Sequence, residues 1–87
     1  MKLKPDFVLR KIADTWVILP LGDVILNFNG MLSLNNSGVL LWKILESGGD
    51  REEMISKLTE KYDVSRQQAI SDVDQFIDKL SQVGCFE

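Results

Sequence analysis

The hydrophobic period of this sequence changes once, directly after Leu34, and that change constrains the fold more than any other feature. Before it, short runs rich in aromatic and β-branched residues are separated by turn residues, as in β-strands. After it, apolar residues recur at intervals of three and four, as in amphipathic helices. Asn35 stands at the boundary, and asparagine is a favoured N-cap of helices. Strands followed by helices predict an α+β fold, with helices packed on an antiparallel sheet.

Three strands are predicted before this boundary. Residues 7–12 and 15–19 are separated by only two residues, so we expect them to form a β-hairpin. The third strand is predicted over residues 30–34, where it follows a turn-forming Asn-Gly pair. The intervening residues 20–29 fit either an irregular apolar loop or a short strand.

Three helices are predicted after the boundary, over residues 36–47, 51–62 and 66–83. The first is apolar on nearly every side, so we expect it to be the most buried. The second and third each begin with a capping box, a polar cap residue followed three residues later by Glu or Gln. Two short helices and a longer one resemble a winged helix-turn-helix. We therefore expect residues 1–87 to form one domain, a three-stranded antiparallel sheet followed by a three-helix bundle.

The composition argues against catalysis and against a metal site. The chain has no histidine and one cysteine, so the commonest general base is absent and one thiol cannot build a zinc or iron-sulfur site. Its six glycines match neither the phosphate-binding loop nor the dinucleotide-binding fingerprint. The acidic residues of the helical half fall mainly on outward-facing positions or in first turns, where carboxylates complement the helix dipole. We therefore expect no enzyme activity, no metal and no cofactor.

The net charge argues against nucleic acid as a partner. Ten Lys and Arg residues against thirteen Asp and Glu residues give a net charge of -3, which repels phosphates. A DNA-binding winged-helix regulator is therefore the weaker alternative. No apolar run approaches the roughly 20 residues that span a bilayer, and the N-terminus lacks the apolar core of a signal peptide. These features predict a cytoplasmic protein.

The third predicted strand has an unprotected edge. Its sequence, Gly-Met-Leu-Ser-Leu, carries neither the charge nor the proline that usually prevents pairing at an edge. An extended peptide could add there as a further strand, making about four backbone hydrogen bonds. Two alternatives stay open on the pattern alone. Residues 20–29 could cover the edge, or a second copy could pair with it in a homodimeric structural subunit.

Three segments, LNNSGVLLWKILESG, DREEMISKLTEKYDVS and DVDQFIDKLSQVGCFE, taken in order resemble the PqqD-like family, named for pyrroloquinoline-quinone synthesis protein D. With the N-terminal hairpin they span nearly the whole chain. The resemblance implies a winged-helix-like recognition element for ribosomally made, modified peptides. It implies a non-catalytic adaptor that binds the leader segment of a precursor peptide by strand addition. The adaptor would then present the peptide core to a maturation enzyme, often of the radical S-adenosylmethionine type.

The resemblance also implies which residues contact the leader. The pairing strand would be the third, and the groove wall would be the third helix; the implied residues are Gly30, Met31, Leu32, Ser33, Leu34, Asp72, Gln75, Phe76 and Lys79. Phe76 also lies on the apolar stripe of its helix, so a purely structural role fits it equally well. Residues 20–23 and 45–48 depart from the quinone-pathway members, which favours another peptide-modification pathway. The oligomeric state is left as monomer or homodimer.

Overall fold

A computed structural model of the chain describes residues 2–21 and 32–87. The predicted order is confirmed, with three antiparallel strands followed by three helices: β1 (Phe7–Ile12), β2 (Thr15–Pro20), β3 (Leu32–Leu34), α1 (Asn36–Glu46), α2 (Arg51–Lys61) and α3 (Arg66–Gln82). The predicted ends of the helices and of the first two strands lie within one residue of these bounds. Residues 30 and 31 of the predicted third strand lie outside the described residues, as do residues 22–29.

The three strands form one sheet in the order β1-β2-β3, with β2 in the middle. Ala13 and Asp14 join β1 to β2 and have φ values of 48° and 68°. Positive φ at both central residues is what a type I′ hairpin turn requires, because this turn matches the twist of the flanking strands. Neither residue is glycine, so the length of the connection indicates this hairpin better than its turn residues do.

The hydrogen-bond pattern of β2 decides which backbone groups of β3 face away from the sheet. Leu21 N–H donates to the carbonyl of Asp6 at 2.7 Å, so this pair of opposed residues is hydrogen-bonded. Bonded and non-bonded pairs alternate along an antiparallel ladder. The register therefore directs the N–H and C=O of Ile18 away from β1 and toward Leu32. The next residue of β3, Ser33, therefore directs its own N–H and C=O toward the edge opposite β2, where none of the strands described by the structure pairs with it.

Each helix begins after a polar residue whose side chain accepts a hydrogen bond from a backbone N–H, as predicted. For α1, the Asn35 side chain accepts from Gly38 N at 2.8 Å. Asp50 and Ser65 cap α2 and α3 in the same way. These caps satisfy donors that a helix start leaves without intrahelical partners, so they determine where each helix begins.

The core lies between one face of the sheet and the three helices. Its largest fully buried side chains come from β2, all three helices and the C-terminal segment: Ile18, Trp42, Met54, Ile55, Val73, Leu80 and Cys85. Trp42 of α1 is only 1% exposed, in keeping with the predicted burial of this helix. In the described part of the chain no polar or charged residue is buried. Apolar packing therefore holds this small domain together.

Two exposed ion pairs link α2 to α3. The distances are 2.8 Å from Arg51 Nε to Asp74 Oδ1 and 2.6 Å from Arg66 Nη2 to Glu52 Oε1. The hydrogen bond from Arg51 lowers the pKa of Asp74. Exposed pairs of this kind contribute little to stability. Asp74 and Glu52 therefore take part in ion pairs on the surface. This agrees with the prediction that the acidic residues of the helical half face solvent.

The two ends of the described chain are held together. Leu3 and Phe86 form an antiparallel bridge, and Glu87 N–H donates to the carbonyl of Lys2 at 2.8 Å. The side chain of Cys85, next to this bridge, is fully buried. The final residues are thereby fixed against the core.

We predict that the Cys85 thiol is unreactive while the protein is folded. Burial raises the pKa of this thiol to about 11, so at pH 8 it is neutral as well as inaccessible. A thiol-reactive dye at pH 8 should label the protein only in denaturant. Because the pKa is raised, the folded state holds this proton more tightly than the unfolded state. The linked stabilisation is complete below about pH 8.5 and is lost as the pH rises toward 11.

Cys85→Ala supplies the control for this prediction, because it lacks the thiol contribution to the pH dependence of stability. Urea melts of both proteins at pH 8 and pH 10.5 should show the smaller pH-dependent loss for the alanine variant. Rapid labelling of the native protein at pH 8 would contradict the prediction.

Candidate functional site

A cavity of about 580 Å³ lies between the end of β3, the start of α1 and one face of α3. We call it the β3–α3 groove. Its size falls within the range of ordinary ligand sites in proteins. Its walls contain Ser33 and Leu34 of β3, Ser37, Gly38 and Leu41 of α1, and four residues of α3, together with Thr15, Asn35 and Leu58. The groove therefore lies beside the strand edge that the sequence left unprotected.

The α3 wall of the groove is a single stripe of side chains. Asp72, Gln75, Phe76 and Lys79 are separated by three, one and three residues, which places them on one side of a helix. Phe76 is only 8% exposed and also belongs to the hydrophobic core. The other three are polar and more accessible. The stripe thus combines an apolar centre with a polar rim.

The structure brings together six of the nine residues predicted to contact a peptide: Ser33, Leu34, Asp72, Gln75, Phe76 and Lys79. Leu32 is not among the groove-lining residues; it bonds to β2 and packs against the core. Gly30 and Met31 lie outside the described residues. Contact between these residues and a peptide stays a prediction.

Sequence reasoning missed the α1 wall of the groove, where Gly38 lies. A Cβ atom at this position would lie 3.2 Å from Leu34 Cβ and 3.3 Å from Asn35 Oδ1. Glycine therefore lets α1 start close to β3. A glycine in the first turn of an otherwise apolar helix, where it costs about 1 kcal/mol relative to alanine, was the signal that could have revealed this close approach.

The two charged residues of the α3 stripe pair with no other charge in the part of the chain that the structure describes. Neither Asp72 nor Lys79 forms an ion pair with any residue among 2–21 and 32–87. The Asp72 carboxylate accepts a hydrogen bond from Gln68 Nε2 at 2.8 Å, through its Oδ1 atom. Its second oxygen, and the Lys79 ammonium, remain available to a molecule in the groove.

A second cavity of about 360 Å³ continues from the groove around the start of α1. Its apolar wall is formed by Leu58, Tyr62 and Val64. Asp72 and Asn35 line both cavities, so they mark the end of the groove at which the two meet. A ligand longer than the groove would continue past this end.

The backbone edge contributes only part of the binding capacity of the site. In the described part of β3, Ser33 alone directs its N–H and C=O outward, so it offers two backbone hydrogen bonds. Two such bonds contribute about 2 kcal/mol, whereas a dissociation constant of 1 μM requires about 8 kcal/mol. The described part of the edge therefore leaves most of this free energy to other contacts, among them side chains in the groove.

No group of three or more Cys, Asp and Glu side chains among the described residues could hold a metal ion. No helix among them is long and apolar enough to cross a membrane. The chemistry that the groove offers is hydrogen bonding, apolar contact and charge.

Comparison with known proteins gives one family and two similar structures. The profile of the family described as coenzyme PQQ synthesis protein D (PqqD) matches residues 16–85. One solved structure, TbiB1 in complex with the TbiA(beta) leader peptide, is 26% identical with a TM-score of 0.80 and covers 100% of this chain and 95% of its own. A lasso peptide synthetase B1 complexed with the leader peptide is 21% identical with a TM-score of 0.77, covering 97% and 93%. No individually curated protein sequence matches significantly.

Proposed function

The chain belongs to the family of coenzyme PQQ synthesis protein D, and on that basis we propose that it is a non-catalytic adaptor that binds the leader segment of a ribosomally made precursor peptide. The observation that carries this proposal is the position of the outward-facing Ser33 backbone beside the α3 stripe. An extended peptide can pair with the strand edge and rest its side chains in the β3–α3 groove. TbiB1, similar over the whole chain, is known in complex with a leader peptide.

The mechanism of the adaptor is an increase in local concentration. A bound leader tethers the rest of the precursor, so the core of the peptide meets the maturation enzyme at a raised effective concentration. We propose a radical S-adenosylmethionine enzyme as that partner, by analogy with the family. We also propose that the adaptor acts as a cytoplasmic monomer, because a second copy paired at β3 would compete with the leader for Ser33.

The structure supplies an argument against the DNA-binding alternative. One of the two cationic residues of α3, Arg66, is paired with Glu52 at 2.6 Å. Phosphate binding would have to break this pair and approach the aspartates of the same helix. This surface favours a peptide over a polyanion.

Titration of isotope-labelled protein with a candidate precursor peptide tests the proposal. We expect chemical-shift changes at Ser33 and Leu34 and along the stripe from Asp72 to Lys79. The Arg51–Asp74 pair lies outside the groove lining and should serve as an internal reference without shifts. If the β3 resonances stay unchanged at submillimolar peptide, strand addition is wrong for that precursor.

A further inference from the structure

We infer that the β3–α3 groove reads the charge order of the bound peptide, selecting a segment in which a basic residue is followed four residues later by an acidic one. This inference rests on the proposed function and deepens it. Asp72 faces the basic residue, Lys79 faces the acidic residue, and the residue midway between them lies over Phe76. Backbone hydrogen bonds at the strand edge do not distinguish one peptide side chain from another. The charge pair therefore supplies specificity that backbone pairing cannot.

The first step is the spacing of the two charges along α3. Asp72 and Lys79 are seven residues apart, which is two helical turns or about 10.5 Å along the axis. Between them the same stripe holds only the neutral side chains of Gln75 and Phe76. The groove wall therefore has a negative end, an apolar centre and a positive end.

The second step identifies which end of β3 each charge adjoins. Asp72 also borders the second cavity with Asn35 and Asn36, which directly follow β3 in the chain. Lys79 borders only the groove. Asp72 thus lies at the end of the groove next to the start of α1, and Lys79 lies two turns of α3 farther from that end.

The third step converts this polarity into a peptide motif. The sheet is antiparallel throughout, and an antiparallel added strand would begin at the Asp72 end and finish at the Lys79 end. Side chains on one face of a strand recur every second residue, at about 6.6 Å. Positions i and i+4 of the peptide are then about 13 Å apart, compared with about 10.5 Å between the two α3 positions. The flexible stem of Lys79 can make up this difference. Position i+2 shares their face and meets Phe76.

The fourth step is that both charges are free to take part. In the described residues each lacks an ion-pair partner, and the bond from Gln68 holds the Asp72 carboxylate while leaving one oxygen open. By contrast, Asp74 on the same helix is already paired with Arg51. The groove therefore presents two charges of opposite sign that have no ion-pair partner among the described residues.

The test uses a display library of random 12-residue peptides. It is selected on the wild-type protein and on the double variant Asp72→Lys/Lys79→Glu, whose net charge is unchanged. Counter-selection on Ser33→Pro removes peptides that bind elsewhere. We expect the wild type to enrich basic-x-apolar-x-acidic peptides and the double variant to enrich the reversed charge order. For one enriched peptide, exchanging its two charges should weaken wild-type binding about tenfold at low salt and less at high salt.

Asp78→Lys/Lys61→Glu is the matched control, since it exchanges two charges outside the groove lining and should keep the wild-type preference. Groove-dependent peptides without a charge order would overturn the inference and leave the proposed function standing. A preference for acidic before basic would also overturn it, because it requires a parallel strand. Failure to select any groove-dependent peptide would overturn both proposals.

Discussion

Replacing Ser33 by proline is expected to weaken leader binding at least tenfold while the domain stays folded. The N–H of Ser33 points away from β2 and takes no part in the β2–β3 ladder, so its loss removes no hydrogen bond of that ladder. An added strand, however, loses one backbone hydrogen bond, worth about 1 kcal/mol, and meets the proline ring at the pairing position. Calorimetric titration with the precursor peptide measures the loss, and circular dichroism checks the fold.

Two controls separate strand pairing from other effects of this substitution. Ser33→Ala removes the hydroxyl and keeps the N–H, so it should bind the leader like the wild type. Lys11→Pro places the same ring at an outward-facing position of the other edge strand, β1, and should leave binding unchanged. Wild-type affinity in folded Ser33→Pro would refute addition of a strand at β3.

Trp42→Ala is expected to cost about 3–5 kcal/mol of the free energy of unfolding. The side chain is 1% exposed in the core, and its removal leaves a cavity that the packed neighbours fill only in part. A folded chain of 87 residues has about 4–13 kcal/mol of stability in total, so this loss removes a large share of it. Urea denaturation followed by circular dichroism measures this loss.

Trp42→Phe should cost clearly less than Trp42→Ala. The indole N–H of Trp42 is buried with no hydrogen-bond partner among the described residues, and phenylalanine removes this unsatisfied donor while it keeps most of the apolar volume. Ile12→Ala serves as the surface control, since Ile12 is 48% exposed. Equal losses for the phenylalanine and alanine variants would show that the indole itself is required.

The fold was predictable because its signals are local. Asn35, Asp50 and Ser65 are cap residues that can be recognised within a few positions, and each one marks the start of a helix in the structure. The hairpin followed from the short connection between two β-prone runs, even though Ala13 is not typical of a type I′ turn. Local chemistry of this kind needs no knowledge of tertiary contacts.

The candidate site was only partly predictable. The α3 stripe was implied by the resemblance to the PqqD-like family, and its four residues share a helix face because they lie three or four positions apart. The α1 wall with Gly38 and Leu41 depends on how α1 packs beside β3, and no periodicity in the sequence reveals that. Of the roughly four backbone hydrogen bonds expected for residues 30–34, Ser33 accounts for two, and Gly30 and Met31 lie outside the described residues. Which residues of β3 face outward depends on the alternation of hydrogen-bonded and non-bonded pairs, and that alternation follows from the register between β2 and β3.

The pairing of the two chain ends makes the molecule suitable for a distance-based fluorescence assay. Dyes attached near Lys2 and Glu87 would start close together, since these residues share a 2.8 Å hydrogen bond and neither of them lines the groove. Unfolding would separate them widely, because the radius of gyration would grow from 12.9 Å to roughly 30 Å. Peptide binding at β3 would leave the energy transfer high. A single labelled protein could therefore report loss of folding and, with a third dye on the leader, loss of binding as separate signals.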